Sequence, residues 1–461
     1  MRSSLLLLVC LVTSLNLSAQ LRLAHVFDDH MVIQRNTTVP IWGWAHPSQP
    51  VTITVSWDTT TFKTRANNGT FWKAEIKSPE AGGPHTITIK AGNVTRTLQD
   101  VLSGEVWLAS GQSNMEWSMN AAADGKPLVP SINDPDIRLL HIPRSSAGSP
   151  QVRGEGKWAL CNSETVGGFS AVAYFFGKKL QEDLGGVPVG LIHASWGGSP
   201  AEAWTSEEKI NNNELLREAA DKLKKEQPWS PAEPGVMFNA MINPLVPFRL
   251  AGALWYQGET NVGQNTYKLL METLIKDWRE QFRTDFPFYY VQIAPYSGYG
   301  GDSGARLREQ QVMMTEIPKT GMVVVTDLVD DVKDIHPRYK KTVGERLANY
   351  ALADTYGKQG IAYKSPLYKS IAVEKNKIRI TFDNVLTGLK AEGEIKHFMI
   401  AGEDQKFYPA KAKIEKGTIV VSAKEVKKPV AVRYSWGSDI IPNLFSNEGL
   451  PVPAFRSDDW K

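Results

Sequence analysis

The order of apolar and polar positions divides this chain into three stretches. Residues 20–100 hold short apolar runs, VPIWGWA, VTITVSW, FWKAEI and HTITIKA, broken by Pro, Gly and Asn. Close spacing of strand-like runs between turn residues predicts an all-β segment of sandwich type. From 101 to 357 the period changes. Unbroken apolar runs at 104–109 (GEVWLA), 187–195, 249–257, 286–294 and 321–328 read as buried strands. Between them, 169–184, 266–282, 305–317 and 344–356 repeat their apolar residues at helical spacing, and Gly185-Gly186 stops the first. Strands alternating with helices predict a parallel sheet covered by helices on both faces. Residues 358–461 return to β-type runs such as IRITF, TIVVSA and AVRYSW. The expected fold is therefore α/β, with β-sandwich-like segments on either side of the central domain.

The first 19 residues follow another pattern. MRSSLLLLVCLVTSLNLSA has one early Arg, an apolar core and a small-x-small ending at Ser18-Ala19. This predicts a secretory signal cleaved near Ala19, hence a secreted or periplasmic protein with no membrane attachment after cleavage. Cleavage removes Cys10 and leaves Cys161 as the single thiol, so no internal disulfide is expected.

Composition narrows the partners. A formal net charge of +3 over 461 residues, with no Lys/Arg cluster interleaved with aromatics, argues against nucleic acid. Fourteen Trp and fourteen Tyr are mostly core, but such ring faces also suit sugars. No Cys/His cluster has metal-ligand spacing, so neither metal nor cofactor is expected.

Chemistry-bearing residues collect at the ends of the central strands. The strand 104–109 runs into Gly111-Gln112-Ser113-Asn114, a tight turn that lifts a serine hydroxyl to the carboxyl end of the sheet, where α/β folds place their sites. The strand 187–195 ends in Trp196-Gly197-Gly198, whose N–H groups suit a developing oxyanion or simply make a glycine turn. The strand 249–257 ends in Gln257-Gly258-Glu259-Thr260-Asn261, where either amide suits the same oxyanion and turn or cap roles compete. After 321–328 come Asp330, Asp331, Asp334 and His336-Pro337. An imidazole with a neighbouring carboxylate is the base a serine nucleophile needs; calcium binding or a solvated loop is the alternative.

GQSNMEW, ASWGGSPAEAW, LWYQGETN and DIHP, in this order, resemble the sialate O-acetylesterase branch of the SGNH hydrolases. HVFDDHMVIQR…VPIWGWA and NLFSNEGLPVPAFR extend the likeness over nearly the whole mature chain. The resemblance implies an SGNH-hydrolase-like sheet and a serine esterase acting on O-acetylated carbohydrate, with Ser113 as nucleophile and His336 as base. Asp334 is the expected third member, two residues from His336 and on the same side of an extended segment. Ser113 N–H, Gly197 or Gly198, and Gln257 or Asn261 are the expected oxyanion donors. Gln112, Asn114, Trp196 and Glu259 are expected to meet substrate. Acetylated sialic acid is the first substrate expectation and acetylated xylan or pectin the second; Arg306 and Arg308 are possible carboxylate anchors, with a structural role the simpler reading. Two other classes compete. One is a non-catalytic sugar-binding protein on a degenerate hydrolase core. The other is a glycosidase using Glu116 and Glu259 as paired carboxylates.

Overall fold

The computed structural model describes residues 21–223 and 230–460. The expected signal segment lies outside the described residues. At the centre is a mixed sheet. Its principal strands run in the order Trp158–Asn162, Asn133–His141, Val189–Ser195, Val94–Gly111, Gly252–Tyr256, Phe288–Val291, Thr320–Val323. The first pair is antiparallel and the others are parallel.

Side chains along the serine strand alternate between two cores, as the pleat requires. Val106 and Leu108 join one, together with Leu270, Leu274 and Trp278 of the helix Tyr267–Phe282. Trp107 and Ala109 join the other, with Val172 and Phe176 of the helix Ala171–Asp183 and Val343 and Leu347 of the helix Lys341–Tyr350. Burial on both sides explains why the strand is a continuous apolar run.

The strand Val94–Gly111 is 18 residues long. Its first half pairs antiparallel with Gly82–Ala91, and its middle pairs parallel with Val32–Gln34. Its last residues lie between Val189–Ser195 and Gly252–Tyr256. The expected division at 100/101 thus falls inside one strand, and the N-terminal β segment continues the central sheet. A second N-terminal sheet, Arg22–Leu23, Thr38–Trp44 and Phe71–Lys77, closes over it through Ile41, Trp72, Ile53 and Ile89.

The C-terminal segment forms two four-stranded sheets and a two-stranded one, with Ile378, Ile380, Ile400, Val421 and Val432 in their common core. It is fastened to the helix Ser303–Met313. Glu309 pairs with Arg456, and the buried Arg308 guanidinium donates to the Ser438 and Gly437 carbonyls. Arg306 pairs with Asp302 on its own helix. Arg308 is therefore committed to a structural role, while Arg306 stays partly exposed.

The strands Asn133–His141 and Trp158–Asn162 lie in a stretch that reads as irregular. The first opens with Asn-Asp-Pro-Asp and contains Arg138. Arg138 is buried by a fork to Asp100 at 2.6 and 3.2 Å, a pairing invisible in local sequence. The expected strand 321–328 is shorter, Thr320–Val323, followed by a turn at Thr326–Leu328.

Candidate active site

The serine turn depends on a glycine. Gly111 has φ +136, and a Cβ there would sit 2.2 Å from the Tyr256 carbonyl oxygen. Ser113 then opens a single helical turn, Ser113–Glu116, so its backbone N–H is one of the unpaired donors at a helix start. The turn is tied down by Ser170. Its hydroxyl donates to the Met115 carbonyl at 2.6 Å and caps the following helix by accepting from Ala173 N–H.

His336 arrives from the other side of the sheet. Its Nε2 lies 2.8 Å from Ser113 Oγ, and its ring stacks on Trp117 at 4.7 Å and 23°. Asp334 accepts the His336 backbone N–H at 2.9 Å, and the same oxygen stands 3.6 Å from ring Nδ1. That is too long for a hydrogen bond but close for a charge. The neighbouring carboxylates are engaged elsewhere. Asp327 is forked to Arg346 at 2.8 and 2.6 Å, Asp330 pairs with Arg338, and Asp331 accepts from Lys333 N–H. Burial holds the His336 imidazole below its usual basicity; the Lys340 charge adds to this and Asp334 opposes it.

The turn after the next strand abuts Ser113. A Cβ on Gly197 would lie 3.4 Å from Ser113 Cβ. The Gly197 N–H, however, donates to Glu116 Oε2 at 2.9 Å. Glu116 is itself held in a fork by Arg144 at 2.6 Å on both oxygens, and Arg144 lies over the half-buried Trp196 ring at 5.8 Å. Gly198, at φ +73, is left with no acceptor for its N–H among the described residues.

The side-chain amides of Gln257 and Asn261 are engaged with one another and with neighbouring buried groups. Gln257 Nε2 donates to the Ser199 carbonyl and to Asn261 Oδ1, at 3.2 and 2.7 Å. Asn261 Nδ2 donates to Glu202 at 2.9 Å, and Asn261 Oδ1 also accepts from Ala201 N–H. Both amides belong to a buried network that underpins the 196–201 turn. Gln112, Asn114 and Glu259 are likewise buried. Gln112 accepts from Thr260 N–H, and Asn114 donates to Glu259 at 2.6 Å and to the Ile335 carbonyl at 3.1 Å. Of the four expected substrate contacts, Trp196 alone reaches the surface. The buried Glu259 and the doubly engaged Glu116 do not form an open pair of carboxylates.

Sequence reasoning missed Lys340, Arg144 and Glu202. Lys340 sits in the charged run HPRYKK, yet it is fully buried. The only local hint is its place just before an amphipathic helix.

Residues 103–353 match the family model described as carbohydrate esterase, sialic acid-specific acetylesterase. The chain belongs to this family. The esterase is 30% identical to the sialate O-acetylesterase of Homo sapiens, over 94% of this chain and 92% of the relative, and 29% identical to that of Pongo abelii over the same shares. A crystal structure of a carbohydrate acetylesterase from Xanthomonas citri superposes with a TM-score of 0.87 at 35% identity, covering 95% of this chain and all of that one. The protein is thus a carboxylic ester hydrolase. Its Ser113–His336 contact stands at the carboxyl ends of the central strands, between the strand pairs that leave the serine strand on either side.

Proposed function

We propose that this protein is an exported serine esterase that removes O-acetyl groups from carbohydrates, O-acetylated sialic acids first, through an acetyl-serine intermediate. The observation that carries this reading is the 2.8 Å contact between His336 Nε2 and Ser113 Oγ. His336 takes the hydroxyl proton as Oγ attacks the acetyl carbonyl carbon. The tetrahedral intermediate collapses, and His336 gives that proton to the departing sugar oxygen. Water, deprotonated by the same imidazole, then releases acetate and regenerates Ser113. Asp334 supplies the charge that stabilises the imidazolium. The N–H groups of Ser113 and Gly198 receive the oxyanion. Gly197 joins them only if Glu116 withdraws.

The sialate reading draws on the family and on its mammalian sialate O-acetylesterase relatives. The Xanthomonas citri enzyme is described only as a carbohydrate acetylesterase, which keeps acetylated xylan and pectin as the second substrate class. Export rests on the first 19 residues; among the described residues no helix is long and apolar enough to cross a membrane. On this reading the chain comprises a signal (1–19), an N-terminal β region whose last strand, Val94–Gly111, runs on into the SGNH-hydrolase-like catalytic region, and a C-terminal β region (358–461).

The test is acetate release from O-acetylated sialosides, acetylated xylan and pectin fragments by the wild type and Ser113→Ala. Acetate is expected from the sialosides without shortening of the glycan, and the variant should lose about 10³-fold or more. A variant keeping more than about a tenth of the rate refutes the serine mechanism.

A further inference from the structure

A lysine lies beneath the serine–histidine pair. Lys340 is 0% exposed. Its backbone N–H and that of Lys341 donate to the Asp124 carboxylate, at 3.0 and 2.8 Å, which caps the helix Lys341–Tyr350 and turns the Lys340 side chain inward. There its Nζ donates to Asn114 Oδ1 at 2.6 Å and faces the rings of Trp117 and Tyr256 at 5.7 and 5.3 Å. An ammonium in such a place is costly to bury, so its partners matter.

Those partners are the groups that hold the reacting pair. Asn114 follows the nucleophile in sequence. With its carbonyl fixed by Lys340, its amide nitrogen is aimed at the Ile335 carbonyl, adjacent to His336, and at Glu259. Trp117 carries the His336 ring. One side chain therefore braces the segment bearing Ser113 and the segment bearing His336, which lie 223 residues apart.

We propose that Lys340 is a positioning residue of the esterase, whose ammonium locks Asn114 between the two reacting segments and supports Trp117 beneath the His336 ring. This rests on the reading of Ser113 and His336 as nucleophile and base. The groups facing His336 are Ser113 and Trp117 from the serine turn, Asp334 from its own loop, and Lys340 from the start of the helix. Of these, Lys340 lowers the imidazole's basicity and Asp334 raises it. Around Lys340 itself stand Glu259, Asp124 and Asp334, and burial brings its own value down to about 7. Its charge is accordingly strongest on the acidic side of neutrality, where His336 must be kept unprotonated.

The experiment is the pH dependence of kcat/KM on an aryl acetate for wild type, Lys340→Met, Lys340→Gln and Ser113→Ala, with folding followed by circular dichroism. Activity rises with pH as His336 loses its proton. Removing the lysine charge is expected to move this acidic limb upward by roughly half a unit. The plateau should fall by about tenfold as the brace loosens. Lys340→Gln keeps a donor for Asn114 without the charge, so it should recover part of the plateau but not the limb. An unmoved or downward-shifted limb in a folded variant overturns the proposal. Failure of both variants to fold also overturns it, since Lys340 would then be a purely structural residue. If Ser113→Ala stays active, the serine reading fails instead.

Discussion

Replacing Asp334 by Asn removes a charge while leaving an oxygen to accept the His336 backbone N–H, so the loop keeps its 2.9 Å tie. The substitution therefore isolates the electrostatic part of the residue's role. With Oδ1 3.6 Å from ring Nδ1, Coulomb attraction to an imidazolium is about 5 kcal/mol at an effective dielectric near 20 and about 1 kcal/mol in bulk water. The Asp334 side chain is 41% exposed, and solvent screening pulls the value toward the lower end. About 1–3 kcal/mol of lost transition-state stabilisation corresponds to a fall of roughly 5- to 150-fold in the acyl-transfer rate. Because Asp334 raises the His336 value, the acidic limb of the pH–rate profile should also move to lower pH, opposite to the Lys340 variants. Initial rates on one acetyl ester between pH 4 and 9 measure both effects. Near-normal rate with an unmoved limb would remove Asp334 from the catalytic group and leave His336 acting without a carboxylate. Asp331→Asn, which alters only a turn contact, is the control and should cost little.

Two further outcomes are expected. Among the described residues no three His, Cys, Asp or Glu side chains gather in a way that holds a metal ion; activity should survive prolonged chelation, and loss that zinc or calcium restores would refute this. Buried Glu202 is raised from 4.5 to about 7 by desolvation. Its folded-state value lies above that of the unfolded chain, so the stability it contributes is complete below about 4.5 and is lost as pH rises through 7. Glu202→Gln should therefore raise Tm more at pH 8 than at pH 5, and a pH-independent difference would sink the argument.

The central sheet was legible because burial on both faces writes itself into sequence. GEVWLA and VGLIHAS have no polar face to disguise them, and the helix Tyr267–Phe282 keeps its apolar stripe over its whole length. The strand Asn133–His141 was not legible because its buried Arg138 is neutralised by Asp100, 38 residues away. The same limit applies in the site. Ser113 and His336 could be paired as candidates because their residue types suit one another chemically, and the fold brings them to 2.8 Å. The direction of an amide cannot be read so. Gln257 and Asn261 look equally suited to a ligand or to a buried network, and only the positions of Ser199, Glu202 and Ala201 decide between them. Lys340 is the extreme case, since its meaning depends on Asn114, 226 residues earlier.

The long strand Val94–Gly111 has a consequence for how this enzyme can be cut or grafted. The strand that begins against Gly82–Ala91 in the N-terminal region ends two residues before Ser113. No truncation between the two regions leaves both intact. Cleavage before Val94 strips the strand's first half of its partner and exposes an open edge, which invites pairing with another chain. Cleavage later removes part of the beam that carries Ser113. The N-terminal sheet is thus a foundation for the turn that carries Ser113, and its replacement by an unrelated module would have to reproduce the register of that one strand.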